Sequence, residues 1–395
     1  MGSIFGCDKF SKEKLGNLVK FKKAGNLSKS DLSKIGKPCI LYGELYTTYD
    51  EIAYEIKSKT RNNELVLSKS GDVILAKSGE TPEDISSSTC ILVDNVAYGG
   101  DLIVMEPLEK IDGRYLSYVI KNKKKKEIAR IAQGKSVVHI SEDTISNIEI
   151  EYPGMEEQER IVSLLSQLDL TILNIKTELS SLINQKKSLS KKIFSQDIKF
   201  KDCAGKEYPN WSMIKFSDFL NEVVEKTDDN NSDYLLSSTK TGIYKASEYF
   251  DENKERNTEG YKVLRENQLV LSPQNLWMGN INFNEKYKIG YVSPSYKIFN
   301  IDNSIILSDY FKQIYKTKRM LYNYELSSEQ GASIVRKNLN MDLFYGIEIL
   351  CPNLEEQKRI ADFLSEYDEI ISVKQKQLNA LKKIKKGFLQ QMLPN

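Results

Sequence analysis

The chain has 395 residues, of which 40% are hydrophobic and 28% are charged. These proportions predict a globular protein of two or more domains, since one domain usually takes about 150 residues. The formal net charge of +2 excludes a basic signal spread over the whole chain, and no apolar run approaches the roughly 18 residues that a membrane span needs.

Short strands dominate the first part of the chain, which we place in a domain at residues 1–152. The predicted elements are, in order, an opener at 14–16 preceded by Phe10, strands at 72–76 and 101–105, a helical patch at 115–131, a Gln-Gly loop at 133–134 and a last strand around 148–150. Each predicted strand is a short apolar run beside turn-forming residues.

A long helix is predicted to follow, at residues 153–196. Pro153 opens it, and Glu156 and Glu157 put carboxylates in its first turn, where the positive end of the helix dipole favours them. The apolar residues that come next step by alternating fours and threes, which is the pattern of a heptad seam. The seam includes Ile161, Leu165, Leu168, Ile172, Leu179 and Leu182. At 1.5 Å per residue this helix is roughly 60 Å long, and it cannot bury such a stripe alone.

The second half repeats this order. A polar linker at 197–210 begins a second predicted domain at 197–351, and a second helix follows at 352–395. The run 352–360 aligns without a gap with 153–161, at an offset of 199 residues (355 − 156). The second seam includes Ile360, Leu364, Tyr367, Ile371, Leu378 and Leu381. The shared motif and register indicate that each helix is the partner of the other; the alternative is two unrelated amphipathic helices, each packed on its own domain.

Two lysines interrupt the seams at the same register. Lys186 stands in the first helix where Lys385 stands in the second. Lysines in such positions usually extend their charged ends to water. A role in setting the register of the helix pair is the alternative.

The repeated P-x-x-E-E-Q run carries a family resemblance. Together with the helix endings at 187–189 and 386–392 and the openers at 14–16 and 215–216, it resembles the specificity (S) subunit of type I restriction–modification systems over nearly the whole chain. The resemblance implies an α+β fold, with two target recognition domains separated by two long antiparallel helices that form an intramolecular coiled coil. Such near-twofold symmetry suits a reader of split sites, because the DNA backbone is itself twofold symmetric.

The same resemblance implies the partners. Each recognition domain would read one half of a bipartite target in double-stranded DNA, while the helices set the spacer and dock two methyltransferase (M) subunits. Restriction (R) subunits, which carry motor and nuclease, complete the full complex. The chain itself is then not an enzyme: S-adenosylmethionine, ATP and Mg are expected on the partner subunits, which supply adenine methylation and ATP-dependent cleavage. We expect a cytoplasmic location and no contact with a membrane.

Candidate DNA contacts in the first domain lie in four places. Lys22, Lys23 and Tyr42 flank the first strands, Lys77 and Ser78 follow the strand at 72–76, Lys123 and Lys124 belong to the basic run 121–126, and Lys135, Ser136 and His139 follow Gly134. Lysines can hold phosphates, and a glycine lets the backbone approach a ligand closely. A solvated helix face is the alternative for the basic run, and a plain turn is the alternative for the glycine loop.

Equivalent places in the second domain supply the other candidates. They are Tyr244 and Lys245 beside the first strands, Gln274, Asn275 and Trp277 after a strand at 268–272, and Arg336 and Lys337 after Gly331. Glutamine and asparagine can pair bidentately with adenine in the major groove. Core packing is an equal alternative for Trp277.

Signatures of catalysis and metal binding are missing from the sequence. Five scattered cysteines without a C-x-x-C pair disfavour a disulfide framework or a zinc site and fit a reducing cytoplasm. His139 is the single histidine, which excludes a histidine metal cluster and disfavours a Ser-His-Asp or Cys-His enzyme. Nucleotide-binding glycine motifs are also missing. The rival interpretation is a non-DNA adaptor or structural protein with repeated coiled-coil helices.

Overall fold

Short strands and helices build each of the two globular domains. A computed structural model describes residues 10–132, 138–249, 257–333 and 336–394. The chain forms two units, residues 1–179 with 374–395 and residues 180–373. Each unit contains one globular domain together with one segment of each long helix.

The first domain contains strands β1 to β13 and helices α1 to α5. The strands are Ser11–Lys14, Val19–Lys22, Leu32–Ser33, Lys37–Ile40, Ile52–Ala53, Lys59–Thr60, Val73–Ala76, Ser78–Gly79, Ser88–Ile91, Ala97–Tyr98, Leu102–Pro107, Val138–His139 and Glu149–Tyr152. The helices are Glu44–Thr47, Pro82–Ile85, Gly113–Asn122, Lys125–Ile131 and Glu142–Ser146. The largest sheet has the order β2-β11-β7-β9-β5, with β11 antiparallel to both of its neighbours.

The centre of this sheet consists of the two apolar runs predicted from the sequence. They are β7 and β11, and β7 is buried along its whole length. A strand that is buried on both faces carries apolar side chains on each face. Apolar and polar residues therefore do not alternate along these runs. Helix α3 packs against the sheet through the fully buried Tyr115, Leu116 and Val119.

The first long helix, α6, spans Met155–Phe194. The second domain follows it with strands β14 to β25 and helices α7 to α11. The strands are Ser212–Lys215, Leu220–Val223, Leu236–Thr239, Gly242–Lys245, Lys262–Arg265, Leu269–Leu271, Ile281–Phe283, Ile289–Val292, Lys297–Ile301, Ser328–Ser333, Arg336–Leu339 and Glu348–Cys351. The helices are Phe216–Phe219, Ala246–Tyr249, Ser308–Ile314, Lys318–Leu326 and Met341–Tyr345. The second long helix, α12, spans Leu354–Met392.

Aromatic rings fill the core of the second domain. The Phe216 ring lies edge-on to the rings of Phe219, Phe311 and Phe344, with centroids 5.2 to 5.6 Å apart. These rings pack beneath a sheet of order β15-β22-β19-β20. Edge-to-face pairs add to the free energy gained by burying the rings.

In both domains the opening strand pairs with the strand that leads into a long helix. β1 runs antiparallel to β13, with Glu13 opposite Ile150, and β14 runs antiparallel to β25, with Ile214 opposite Ile349. The openers predicted from the sequence therefore close their domains at the base of the helices.

The two long helices run antiparallel within each unit. In the first unit, Lys385 of α12 pairs with Asp169 of α6, and Lys374 pairs with Glu178. Residue numbers thus rise along one helix as they fall along the other. The buried seam residues are Ile161, Leu165, Ile172, Leu179, Ile360, Leu364 and Leu378, and the half-buried ones are Leu168, Leu182, Tyr367, Ile371 and Leu381.

Two features differ from the sequence prediction. The helical patch predicted at 115–131 is a pair of helices, α3 with α4, and its counterpart in the second domain is the pair α9 with α10. The basic run 121–126 therefore spans the break between two helices rather than lying on one. The C-terminal end of α12 also packs into the core of the first domain, through Phe388, Leu389, Met392 and Leu393. That core is therefore built from both ends of the chain.

Candidate nucleic-acid interface

Two predicted contact segments of the first domain lie side by side. Strand β8 pairs with β12, so that Ser78 lies opposite His139. Ser78 is only 5% exposed, whereas Lys77 and His139 are exposed. Lys77 and His139 are therefore the outward-facing residues of this surface. Lys135 and Ser136 lie outside the described residues.

An ion pair holds Lys22 within its domain. Its Nζ lies 2.7 Å from both carboxylate oxygens of Asp72, which is 1% exposed and also accepts a hydrogen bond from the Tyr98 hydroxyl over 2.6 Å. Because Asp72 offsets its charge, Lys22 contributes less to a field that attracts phosphates than the sequence alone indicates. Lys23 and Tyr42 are both exposed, so each of them offers a ligand more surface than Lys22 does.

The basic run between α3 and α4 divides into two parts. Lys123 is half-buried, its Nζ donates to a carbonyl oxygen of α12 over 3.5 Å, and burial lowers its pKa. Lys124 pairs with Glu127 over 3.4 Å. Lys125 and Lys126 are exposed. The sequence could not separate these roles, since the break between the helices decides which lysines turn inward.

Two predicted loops of the second domain also meet. The Lys337 N–H donates to the Gln274 carbonyl oxygen over 3.3 Å, and the Lys337 Nζ lies 4.9 Å from the centroid of the Trp277 ring. Such a cation–π contact favours one placement of the lysine. Its ammonium also pairs with Glu325 over 2.9 Å. The loop after β19 and strand β24 therefore form one surface; the side chain of Arg336 lies outside the described part.

The loop after β19 turns through a short 3-10 helix, Leu276–Met278, which Gly279 ends at a φ of 89°. That left-handed conformation favours glycine. Gln274 is exposed, while Asn275 and Trp277 are half-buried. The Trp277 Nε1 is buried and has no hydrogen-bond partner among the described residues. Gln274 is therefore the predicted contact residue of this loop that is open to solvent.

The hairpin of β16 and β17 presents the remaining candidates. The Tyr244 ring stacks on the Tyr249 ring, with centroids 5.8 Å apart and planes at 24°. Lys245 is exposed at the end of the hairpin. The tyrosine pair and Lys245 combine a stacking platform with a positive charge.

A buried polar layer, which we did not predict, anchors this hairpin. Ser238 of β16 donates its hydroxyl to Asn280 over 2.8 Å and accepts from the Asn282 amide over 2.8 Å. Lys316 donates to the Asn282 side-chain oxygen over 2.6 Å, and burial lowers the pKa of Lys316. The available signal was the alternation of asparagines with Ile281 in β20, which indicates a strand with one polar face.

The glutamine of the repeated motif joins each long helix to its domain. Gln158 is fully buried; its side-chain oxygen accepts from the Asp112 N–H over 2.8 Å, and its amide donates to the carbonyl oxygens of Lys110 and Pro153 over 3.0 and 2.9 Å. Gln357 makes the equivalent three bonds in the second unit, to Leu307, Ile305 and Pro352, over 2.7, 3.1 and 2.9 Å. The motif therefore repeats because the same helix-to-loop junction occurs twice.

Lys385 lies between two carboxylates in the first unit. Its Nζ is 2.6 Å from Asp169 and 2.8 Å from Glu51, and the Tyr118 hydroxyl donates to Asp169 over 2.5 Å. Burial alone would raise the pKa of Glu51, but the charges of Lys385 and Lys121 outweigh burial and lower it. Burial raises the pKa of Asp169.

Lys186 occupies the equivalent place in the second unit. Its Nζ lies 2.6 Å from Asp368 and 3.0 Å from the Gln313 side-chain oxygen. The heptad spacing marks both lysines as interruptions of the seams but gives no role to either aspartate. A signal was present, because Asp169 and Asp368 recur at the 199-residue offset of the two lysines.

The described residues contain no group of three or more His, Cys, Asp or Glu side chains that could hold a metal ion. Within the same ranges, no helix has an apolar stretch of the length needed to traverse a bilayer.

Comparison with known proteins connects this geometry to a family. Residues 8–185 and 209–383 match the family model described as "Type I restriction modification DNA specificity domain". The type I restriction enzyme MjaVIII specificity subunit of Methanocaldococcus jannaschii is 25% identical over 85% of this chain and 81% of its own length. The putative type I restriction enzyme MjaX specificity subunit of the same organism is 24% identical, over 75% and 71%.

A solved structure shares the fold. The crystal structure of the S subunit of a type I restriction–modification system from M. genitalium aligns with a TM-score of 0.67, covering 99% of this chain and 98% of the other, at 15% sequence identity.

Proposed function

Since this chain belongs to the family of type I restriction–modification specificity subunits, we propose that each of its globular domains reads one half of a bipartite target in double-stranded DNA. The proposal rests on one arrangement that occurs in both domains: two predicted contact segments lie against each other. In each domain, the segment after the central apolar strand lies against the segment that precedes the last helix and strand. Each domain thus has a separate surface for a separate half-site.

The chemistry of these surfaces supports separate roles for residues that contact phosphates and residues that read bases. Exposed lysines, among them Lys77, Lys125 and Lys126, can neutralise phosphates and position the duplex without reading sequence. Gln274 can donate to and accept from an adenine edge in the major groove. The polar layer under the β16–β17 hairpin holds Tyr244 and Lys245 in a fixed place.

We assign the chemical steps to partners. The chain would position methyltransferase subunits, which bind S-adenosylmethionine and methylate adenine, and restriction subunits, which use ATP and Mg to move on and cut DNA. The specificity subunit then contributes binding energy and geometry and no reacting group.

Exchanging residues 10–152 for those of a relative with another target is expected to change one half of the methylated motif and leave the other half intact. The reason is that the contact segments of the second domain lie wholly outside the exchanged residues. Sequencing that maps methylated adenines in host DNA measures the result. A change in both halves would contradict independent reading, and a reconstituted complex that binds no specific duplex would favour the adaptor interpretation.

Exposed apolar pairs mark a docking face on the helices in each unit. Leu170 and Leu173 of α6 are 40% and 48% exposed in the first unit, and Ile370 and Val373 of α12 are 47% and 63% exposed in the second. Residues three apart are neighbours on one helix face. Single exposed apolar residues are ordinary, but paired ones on both helices fit a bound partner. We assign one methyltransferase subunit to each pair.

Replacing Leu170 and Leu173 together by glutamate is expected to reduce the methyltransferase subunits bound per chain from two to one. The charges would have to be buried against the partner without a counterion, which is unfavourable. Native mass spectrometry of the purified complex gives the count. Thr171→Glu adds a charge at an exposed position on a different side of α6 and serves as the control; a double variant that still binds two subunits would refute this docking face.

A further inference from the structure

The two seam lysines take part in one arrangement that occurs twice. Lys385 of α12 pairs with Asp169 of α6 in the first unit, and Lys186 of α6 pairs with Asp368 of α12 in the second, each over 2.6 Å. α12 supplies the lysine of the first pair, and α6 supplies the lysine of the second. A contact that recurs with exchanged partners belongs to the internal symmetry of the chain and is not an isolated surface ion pair.

Each pair is also held from the adjoining globular domain. Tyr118 of α3 donates to Asp169, and Gln313 of α9 accepts from Lys186 and lies 3.4 Å from Asp368. Lys385 makes a second ion pair with Glu51, whose side chain is 6% exposed. Each cluster therefore joins three elements: both long helices and the domain beside them.

Apolar seam residues do not distinguish one heptad register from the next, because they recur every seven residues. The charged residues do distinguish them. A slip of one heptad would place Lys385 beside Val162 or Lys176 instead of Asp169. Val162 is fully buried, so the ammonium would meet either an apolar site or a like charge. Leaving one partner of a buried pair uncompensated is strongly unfavourable, even though the pair itself adds little stability.

We propose that the residues of the Lys385–Asp169 and Lys186–Asp368 pairs are positioning residues for DNA recognition. They select one axial register of the long helices and one position of each recognition domain against the helix segments beside it. The selected register sets the DNA spacer length that the complex accepts. The consequence for the DNA spacer rests on the proposed function, whereas the selection of register does not.

Cross-linking within the first unit tests the register directly. Glu178→Cys with Lys374→Cys reports the native register, since these residues form an ion pair over 2.6 Å. Glu178→Cys with Leu381→Cys reports a slip of one heptad. Cys7 and Cys203 are replaced by serine, and a short bis-maleimide is the probe. The otherwise unchanged chain is expected to give the native product in at least about tenfold excess.

An apolar variant then removes the charges. It carries Lys385→Met, Asp169→Leu and Glu51→Gln in the first unit, and Lys186→Met and Asp368→Leu in the second, so that no carboxylate of either cluster is left unpaired. It is expected to keep its helical circular dichroism and its midpoint of denaturation, and to give both cross-linked products in comparable yield. An apolar variant that remains folded and cross-links only in the native register overturns the proposal.

Tyr118→Phe, which retains the ion pair, is expected to keep the native register and to weaken methylation.

A DNA library with randomised spacer lengths supplies the second measurement. The methyltransferase complex of the unchanged chain is expected to accept one spacer length, and the apolar variant to accept neighbouring lengths with the same bases read on either side. If the apolar variant slips in cross-linking but retains a single spacer, the link between register and recognition is refuted. If the unchanged complex methylates no DNA, the proposed function fails, while the cross-linking result still decides whether the pairs select the register.

Discussion

Inserting four residues into each long helix, after Ser180 in α6 and after Val373 in α12, is expected to lengthen the unread spacer of the DNA target by one or two base pairs. Four residues add about 6 Å of helix, and base pairs are about 3.4 Å apart. Both insertions fall where a helix passes from one unit to the other, so contacts within each unit are retained. Methylation of a library with randomised spacers measures the accepted length.

Insertion into α6 alone provides the matched control. The added turn then has no counterpart in α12, so the Lys385–Asp169 and Lys186–Asp368 pairs cannot both keep their register, and methylation is expected to fall. The recognised bases should remain the same after the paired insertion, because no contact segment moves within its domain. A paired-insertion variant that still methylates targets with the original spacer would show that helix length does not set the spacer length.

Replacing Gln158 by leucine is expected to destabilise the first unit by about 3 kcal/mol. The substitution leaves the Asp112 N–H and the carbonyl oxygens of Lys110 and Pro153 without their partner, and each buried group without a partner costs about 1 to 3 kcal/mol. Hydrogen–deuterium exchange read by mass spectrometry measures the loss of protection, because it resolves the two units.

The repeat supplies the matched comparison. Gln357→Leu removes the same three bonds in the second unit and should reduce protection there instead. Gln167→Leu, at an exposed position of α6, should change stability by less than about 0.5 kcal/mol. Equal loss of protection in both units after Gln158→Leu would contradict a local junction.

The long helices were the most predictable part of the fold. Their proline, first-turn carboxylates and heptad spacing are local signals, and α6 begins at Met155, two residues after the predicted start. The central strands β7 and β11 were also readable, because each apolar run has the length of a strand and is flanked by turn-forming residues. Local sequence patterns are sufficient to predict an element when its own residues determine its structure.

Residues that act through distant partners were not readable in the same way. Gln158 looked like part of a helix start, and its role depends on a loop 46 residues away in the chain. Lys22 looked like a surface cation, yet Asp72, which lies 50 residues further on, holds it. Whether a lysine faces DNA or a buried carboxylate is decided by tertiary packing, which single-sequence patterns do not contain.

The inclusion of the C-terminal end of α12 in the first domain's core has a consequence for biosynthesis. The second unit is one uninterrupted stretch, residues 180–373, and all of it is synthesised before Phe388, Leu389, Met392 and Leu393. The domain that is translated first is therefore completed last. Until those four residues pack against it, the N-terminal domain exposes an unfinished apolar surface, and during this interval chaperone binding and aggregation compete for the nascent chain.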